Sequence, residues 1–110
     1  MEMHRLEDMQ GGWFIGDFSP TVIRTGDVEV AVKAYPAGAR ESSHHHKVAE
    51  EVTVVVTGRA RMGDRVVEPG TIVHLQPGES TDFEALEATL TVVVKRPSVK
   101  GDKYPDDPSP

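Results

Sequence analysis

The chain has 110 residues, 12 Lys and Arg against 18 Asp and Glu, and a formal charge of −6, which sets the expectation of one domain with a single modest core. Phosphate binding needs clustered positive charge, and no Lys/Arg cluster is present, so nucleic acid and anionic membrane surfaces are not expected as partners. The absence of cysteine removes disulfides, thiolate nucleophiles and Cys-ligated zinc or iron–sulfur centres.

From the N-terminus, MEMHRLEDMQ is too charged for a signal peptide. No apolar run approaches the ~20 residues of a membrane helix, and the expectation is a soluble, cytoplasmic protein. GGWFIGDF gathers the only Trp and two of the three Phe, and reads as a packing segment sealing one side of the fold. VIRTGDVEVAVKAY reads as a hairpin, with Val22 and Ile23 before a turn at Thr25, Gly26 and Asp27. Val28, Val30, Val32 and Ala34 then alternate with Glu29, Ala31, Lys33 and Tyr35, the period-2 signal of a strand with one buried face. Residues 52–56 are apolar on both parities, as in a strand covered on both sides, and the second cover in so small a domain can be another subunit. Gly63 and Asp64 centre a second hairpin turn. Short strands are expected over 71–75, from 81, and over 89–95, with turns at EPG and QPGES. Helical periodicity is missing throughout, so the fold class is all-β, a sandwich or barrel. Residues 97–110, rich in Pro, Asp and Lys, read as a flexible tail after a domain over 1–96.

The chemistry centres on His44, His45 and His46. On a strand, alternate side chains share a face, so His44 and His46 point together and His45 points away. Their Cα atoms then lie roughly 6.6–6.8 Å apart, close enough for two imidazoles to converge on one ion at about 2.0–2.2 Å. A short turn over 47–49 reverses the chain, and of the adjacent Glu50 and Glu51 only one can face the histidines. Glu51 completes a two-His-one-carboxylate set, which leaves open coordination positions. An exposed loop is the alternative for the triplet taken alone. Arg40 and Lys47 flank the histidines as surface charges or as attractors of an anionic substrate. Arg59 and Arg61 read as outward-facing, and Glu50 and Asp82 as surface groups or as partners that orient the imidazoles.

Gly38, five residues, His44, one residue, His46, four residues, Glu51, six residues and Gly58 form a long ordered pattern. It resembles the first signature of the cupin superfamily, with every spacing satisfied. Gly70, Pro77 and Gly78 fit the family's second signature, but Thr81 stands where the family usually has a metal-binding His. The resemblance covers about 35–94. It implies a small antiparallel β-barrel or jelly roll with a short N-terminal cap, and a homodimer. The metal ligands would be His44, His46 and Glu51, with His74 a less favoured substitute for the missing ligand and Asp82 a substitute only if a bulge turns it inward. The implied cofactor is a divalent transition metal (Fe, Mn, Ni or Zn). The implied function is an enzyme acting on a small polar molecule, of dioxygenase or isomerase type. Two alternatives stand beside it. One is a metal-free sugar-nucleotide or polysaccharide isomerase or epimerase using His44 or His46 as acid and base. The other is a non-catalytic module that binds a sugar or another small molecule.

Overall fold

Strand-length apolar runs broken by Gly, Pro and Asp fold as expected into short antiparallel strands. The structure is a computed structural model and describes residues 1–106; residues 107–110 of the expected tail lie outside the described residues. Two single-turn 3-10 segments, Leu6–Asp8 and Gln10–Gly12, precede the strands. The strands are β1 (Trp13–Ile15), β2 (Glu29–Tyr35), β3 (Arg40–His45), β4 (Glu50–Thr57), β5 (Ala60–Met62), β6 (Arg65–Val67), β7 (Ile72–Leu75), β8 (Ser80–Ala85), β9 (Thr89–Arg96) and β10 (Tyr104–Pro105). They form two five-stranded sheets, β1-β2-β9-β4-β7 and β10-β3-β8-β5-β6. The chain is therefore an all-β antiparallel double sheet, as the spacing of its apolar runs implies.

Three local expectations differ from the structure. The partner of β2 in its hairpin is β1, not residues 22–23, which make only an isolated bridge from Ile23 to Ile15. The face of β2 that turns inward carries Ala31, Lys33 and Tyr35; Ala31 is fully buried, and Lys33 and Tyr35 line a cavity. Val30, Val32 and Ala34 take the outer face, where they meet Val94, Val92 and Leu90 of β9 in register. The valine stripe is therefore an outer wall, because the inside of this end of the fold is polar. Finally, residues 98–106 are not a loose tail. Ser98 and Asp102 are buried, and Tyr104 and Pro105 pair with His45 and His44 as a sheet edge. Proline and aspartate are poor core formers, but here they bind backbone groups, which composition alone does not reveal.

The apolar core sits at one end, built from Val55, Ala60, Met62, Val67, Phe83 and Ala85, with Tyr35, Ala39 and Val73 packed against it. Tyr35 and Phe83 rings lie 4.4 Å apart. Following β4 inward shows the gradient: Glu51 and Thr53 line the cavity, and Val55 enters the core. Strand β8 repeats it with Thr81, Phe83 and Ala85. The core thus forms the floor of a polar cavity, and Met62 and Phe83 belong to both.

Gly38 and Gly58 bracket the strands that carry the histidines and Glu51, and both have φ of +88°. They differ in surroundings. A Cβ on Gly58 would meet the Ala88 carbonyl oxygen at 2.2 Å and Thr89 Cα at 2.6 Å, whereas Gly38 faces open space. Gly38→Ala should cost about 1 kcal/mol of unfolding free energy, the strain of a left-handed backbone. Gly58→Ala should cost about 3 kcal/mol or more, because backbone has to shift as well. Chemical denaturation of the two variants checks this, and equal losses would contradict the packing described.

Candidate functional site

A cavity of about 140 Å³ opens between the two sheets above the core. With water occupying ~30 Å³ per molecule, it suits a few waters or a ligand of a handful of heavy atoms. His44 and His46 reach it from the end of β3, Glu51 and Thr53 from β4, and Thr81 and Asp82 from β8. Trp13, Lys33, Tyr35, Glu41, Lys95 and Lys103 complete its polar wall. Alternation along β3 explains the histidines: His44 and His46 face the cavity, while His45 turns away to stack on Tyr104, with its Nδ1 2.7 Å from Asp106.

Each cavity histidine has one nitrogen engaged by the backbone. His44 Nδ1 lies 3.0 Å from the Ser42 carbonyl, and His46 Nδ1 contacts the Asp102 carbonyl. A carbonyl only accepts, so each Nδ1 carries its proton and each Nε2 is left for the cavity. Glu51 is oriented as well. Thr53 Oγ1 donates to its Oε2 at 3.2 Å, and its Oε1 lies 3.4 Å from His46 Nε2.

These groups shift one another's protonation. His46 is raised above its ordinary value, chiefly by Glu51 and against the cost of burial, with the Asp102 carbonyl adding to the rise. Burial pushes the Glu51 carboxyl up, but His46, Lys95 and Thr53 outweigh it and hold it below the ordinary range. Both shifts favour the charged forms of the two partners. Lys95 stands directly opposite Glu51 in register and carries the next positive charge. Tyr35 donates to Glu41 at 2.9 Å, and burial together with the Glu41 charge pushes its phenol far up, so it stays a neutral donor.

The donor set can be tested against a metal ion. Two ligands at ~2.0–2.2 Å from one ion stand roughly 3.0–3.4 Å apart, and two imidazoles sharing it have ring centres roughly 4.5–5.3 Å apart. His46 Nε2 and Glu51 Oε1 are 3.4 Å apart, longer than a good hydrogen bond and the right bite for a shared ion. The His44 and His46 ring centres are 5.4 Å apart and nearly perpendicular. Among the described residues no three His, Asp or Glu side chains are already gathered into one ligand group. The spacing of His46 and Glu51 fits an ion as it stands, whereas His44 would have to turn about its side-chain bonds to join them. Two imidazoles with Nδ1 fixed by carbonyls, and one buried carboxylate, are a donor type suited to a divalent transition metal.

Other sequence-derived candidates fall elsewhere. Thr81 lies in register opposite His44, but its hydroxyl donates to the Asp82 carbonyl at 2.9 Å. His74 is on the outer face, bound to Glu50 at 2.8 Å and 47% exposed, so it is no substitute ligand. Its strand alternation puts it opposite Val52, which is also outside. Glu50 faces outward with it and binds Arg96. Asp82 borders the cavity, but its carboxylate is taken by Arg61 at 3.1 Å and by the Gly63 N–H at 2.9 Å. Arg61 lies on the outer face of β5, as expected, because Ala60 and Met62 on either side of it enter the core, and there it is tied to Asp82 and Glu84. Arg40 pairs with Glu84 on the surface, and Lys47 lies over the Tyr104 ring at 4.1 Å. The cations that line the cavity are Lys33, Lys95 and Lys103. The alternation of β2 and β9 carried a signal for the first two, since Lys33 shares a parity with buried Ala31. Lys103 had none, because it arrives from the segment read as a tail. Trp13 also differs from its expected role as packing alone: it borders the cavity, with Lys95 at 5.0 Å and Lys33 at 5.6 Å over its ring.

No protein-family model and no curated protein matches the sequence. Solved structures do match in fold. An uncharacterized conserved protein with a double-stranded β-helix domain from Klebsiella pneumoniae is 21% identical with a TM-score of 0.68, over 90% of this chain and 87% of that one. The DMSP lyase DddQ from Ruegeria pomeroyi is 19% identical with a TM-score of 0.73, over 89% of this chain and 51% of that one. Oxalate decarboxylase from Bacillus subtilis, described with Mn(II) centres, is 18% identical with a TM-score of 0.64, over 74% of this chain and 24% of that one. The chain thus spans about half of one of these proteins and a quarter of another. The common fold is the cupin-type double-stranded β-helix.

Asp106 directly follows the edge strand β10, and its carboxyl is held at about 2, below its ordinary 3.8, by bonds from Ser43, Ser80 and His45. A depressed carboxyl stabilises the fold above its unfolded value and stops doing so as pH falls through the folded one. The difference in melting temperature between the native chain and Asp106→Asn should therefore be full above pH ~4 and close as pH falls toward 2. A difference that stays constant over that window would exclude the tether.

Proposed function

We propose that this chain is a small-molecule enzyme whose working site is the cavity of His44, His46 and Glu51, with a divalent transition metal held by those three side chains. The observation that carries this reading is the arrangement of the two imidazoles that line one cavity: both Nδ1 atoms are spent on backbone carbonyls, and the Nε2 of His46 stands 3.4 Å from an oriented carboxylate. An ion so held supplies Lewis-acid polarisation of a substrate oxygen or acidifies a bound water. The Mn(II) centres of oxalate decarboxylase support the reading, since a related fold accommodates an ion.

The chain's own groups set the substrate class. Lys33, Lys95 and Lys103 line the cavity of a protein whose overall charge is negative. Glu51, Glu41 and Asp82 are engaged by His46, Tyr35 and Arg61, so a small organic acid meets cationic side chains rather than bare carboxylates, although Lys95 shares its charge with Glu29 at 3.9 Å. Trp13 offers a flat apolar edge, and Tyr35 a neutral donor. Such a site binds and orients a small carboxylate, excludes most water, and places a protonatable His46 near its reacting end. Dioxygenation and isomerisation of a hydroxy or keto acid are the reaction classes that match.

A second reading is favoured by the raised protonation of His46. The His46–Glu51 pair is then the acid–base machinery, acting without an ion. Chelation separates the two, because turnover that survives it belongs to the second.

The partner we propose is a second copy of this chain. On the outer face, Val52, Val54 and Val56 of β4 continue the stripe of Leu90, Val92 and Val94, and Ile72 of β7 lies 66% exposed at its edge. A contiguous apolar wall of this kind favours burial.

Two outcomes follow. Purified protein should take up about one equivalent of Mn(II) or Zn(II), and Glu51→Gln should weaken the affinity at least tenfold by calorimetry; an unchanged affinity would remove Glu51 from the ligand set. Ile72→Asp should convert a dimer into a monomer in sedimentation equilibrium, and a native chain that is already monomeric would refute the dimer.

A further inference from the structure

Residues 98–106 run beside the site, and Lys103 among them lines the cavity. Ser98 Oγ accepts the Asp17 N–H at 2.9 Å at one end, and Asp106 binds Ser43 at 2.7 Å at the other. Between them lies Asp102, only 6% exposed. Its Oδ1 accepts the Lys47 N–H at 2.9 Å, its Oδ2 the Ala49 N–H at 2.9 Å, and both face the Val48 N–H at 3.2 Å. Three consecutive backbone donors therefore converge on one carboxylate, the arrangement of an anion-binding nest filled from within. Those donors hold its carboxyl below the ordinary range, led by Ala49, although burial opposes them. The same residue's main-chain carbonyl accepts Nδ1 of His46.

Residues 46–49 are the whole connection between β3 and β4, and 47–49 are its part between His46 and the start of the strand that carries Glu51. One residue thus acts on both members of the pair. Its carboxylate clamps the turn that fixes how far Glu51 stands from His46. Its carbonyl fixes which nitrogen of His46 carries the proton. Neither could be done by the turn's own side chains: Lys47 and Val48 are exposed, and Ala49 has no polar group. The next residue along, Lys103, reaches the cavity lining.

We propose that Asp102 is a positioning residue for the His46–Glu51 pair, and that the segment it anchors is a working wall of the site that brings Lys103 to the cavity. The proposal rests on the cavity being the site, but the positioning of His46 is testable without any metal or substrate. Orientation of a ligating imidazole through its second nitrogen commonly changes metal affinity by about 10–100-fold.

The test uses the full chain with Asp102→Ala and Asp102→Asn, first metal-free. Long-range proton–nitrogen spectra of histidine-labelled protein should show a protected Nδ1 proton on His46 in the native chain. That protection should be lost in Asp102→Ala. In Asp102→Asn, which keeps one acceptor oxygen for the turn, it should be weakened but present. Titration with Co(II), followed by its visible absorption bands, should then show at least tenfold weaker binding for Asp102→Ala and a smaller loss for Asp102→Asn. A fall in melting temperature with the Nδ1 signal and the Co(II) spectrum unchanged would make Asp102 purely structural and overturn the proposal. If Asp102→Ala does not fold, Asp102→Asn carries the test, and native-like values for both readouts would overturn it. If the native chain binds no Co(II), the metal reading fails, and the nitrogen spectra alone still decide the positioning role.

Discussion

A buried imidazole needs a partner at each nitrogen, because an unpaired polar atom taken from water costs on the order of 1–3 kcal/mol. His46, 7% exposed at its side chain, meets that demand with a main-chain carbonyl on one side and a carboxylate on the other. Much of the local architecture serves these two contacts. The turn over 47–49 returns β4 alongside so that Glu51 faces the ring. The last described segment crosses back to supply the carbonyl. Thr53 and Lys95 keep the carboxylate charged and turned inward.

That constraint accounts for an unusual division of polarity. Inward-facing positions near the site carry Lys33, Tyr35, Glu51, Thr53, Thr91 and Lys95, while valines crowd the outer face of the same sheet. The true core is small and pressed to the far end, around Val55 and Phe83. A domain of this size buries roughly two thirds of its unfolded surface at best. Committing part of its interior to charged side chains leaves it dependent on hydrogen-bonded tethers and on covering its outer apolar wall.

The sequence was informative where physical periodicity is local. The two-residue alternation put His44 and His46 on one side and His45 on the other, and the run over 89–95 was plainly a strand. The pattern from Gly38 to Gly58 pointed to the right fold. Three things were hidden. Alternation in β2 marks two faces but does not say which is inside, so Lys33 and Tyr35 were missed as cavity residues. Ile23 seemed to pair with β2 because it is near in sequence, yet β1 takes that edge. Asp102 and Lys103 sit in a stretch whose composition signals disorder, and nothing short of the fold shows that an aspartate more than fifty residues away completes the His46 turn. His74 illustrates the opposite error: it has the right side chain, but strand parity places it outside with Glu50.

The most direct measurement of the central claim is anomalous diffraction from crystals of this protein grown with Mn(II) or Co(II). The account predicts a single strong anomalous peak inside the cavity, within bonding distance of His44 Nε2, His46 Nε2 and a Glu51 oxygen, with His46 Nδ1 still on the Asp102 carbonyl. A cavity without a peak at saturating metal, or a peak held by His74 and Glu50 on the outer face, would contradict it.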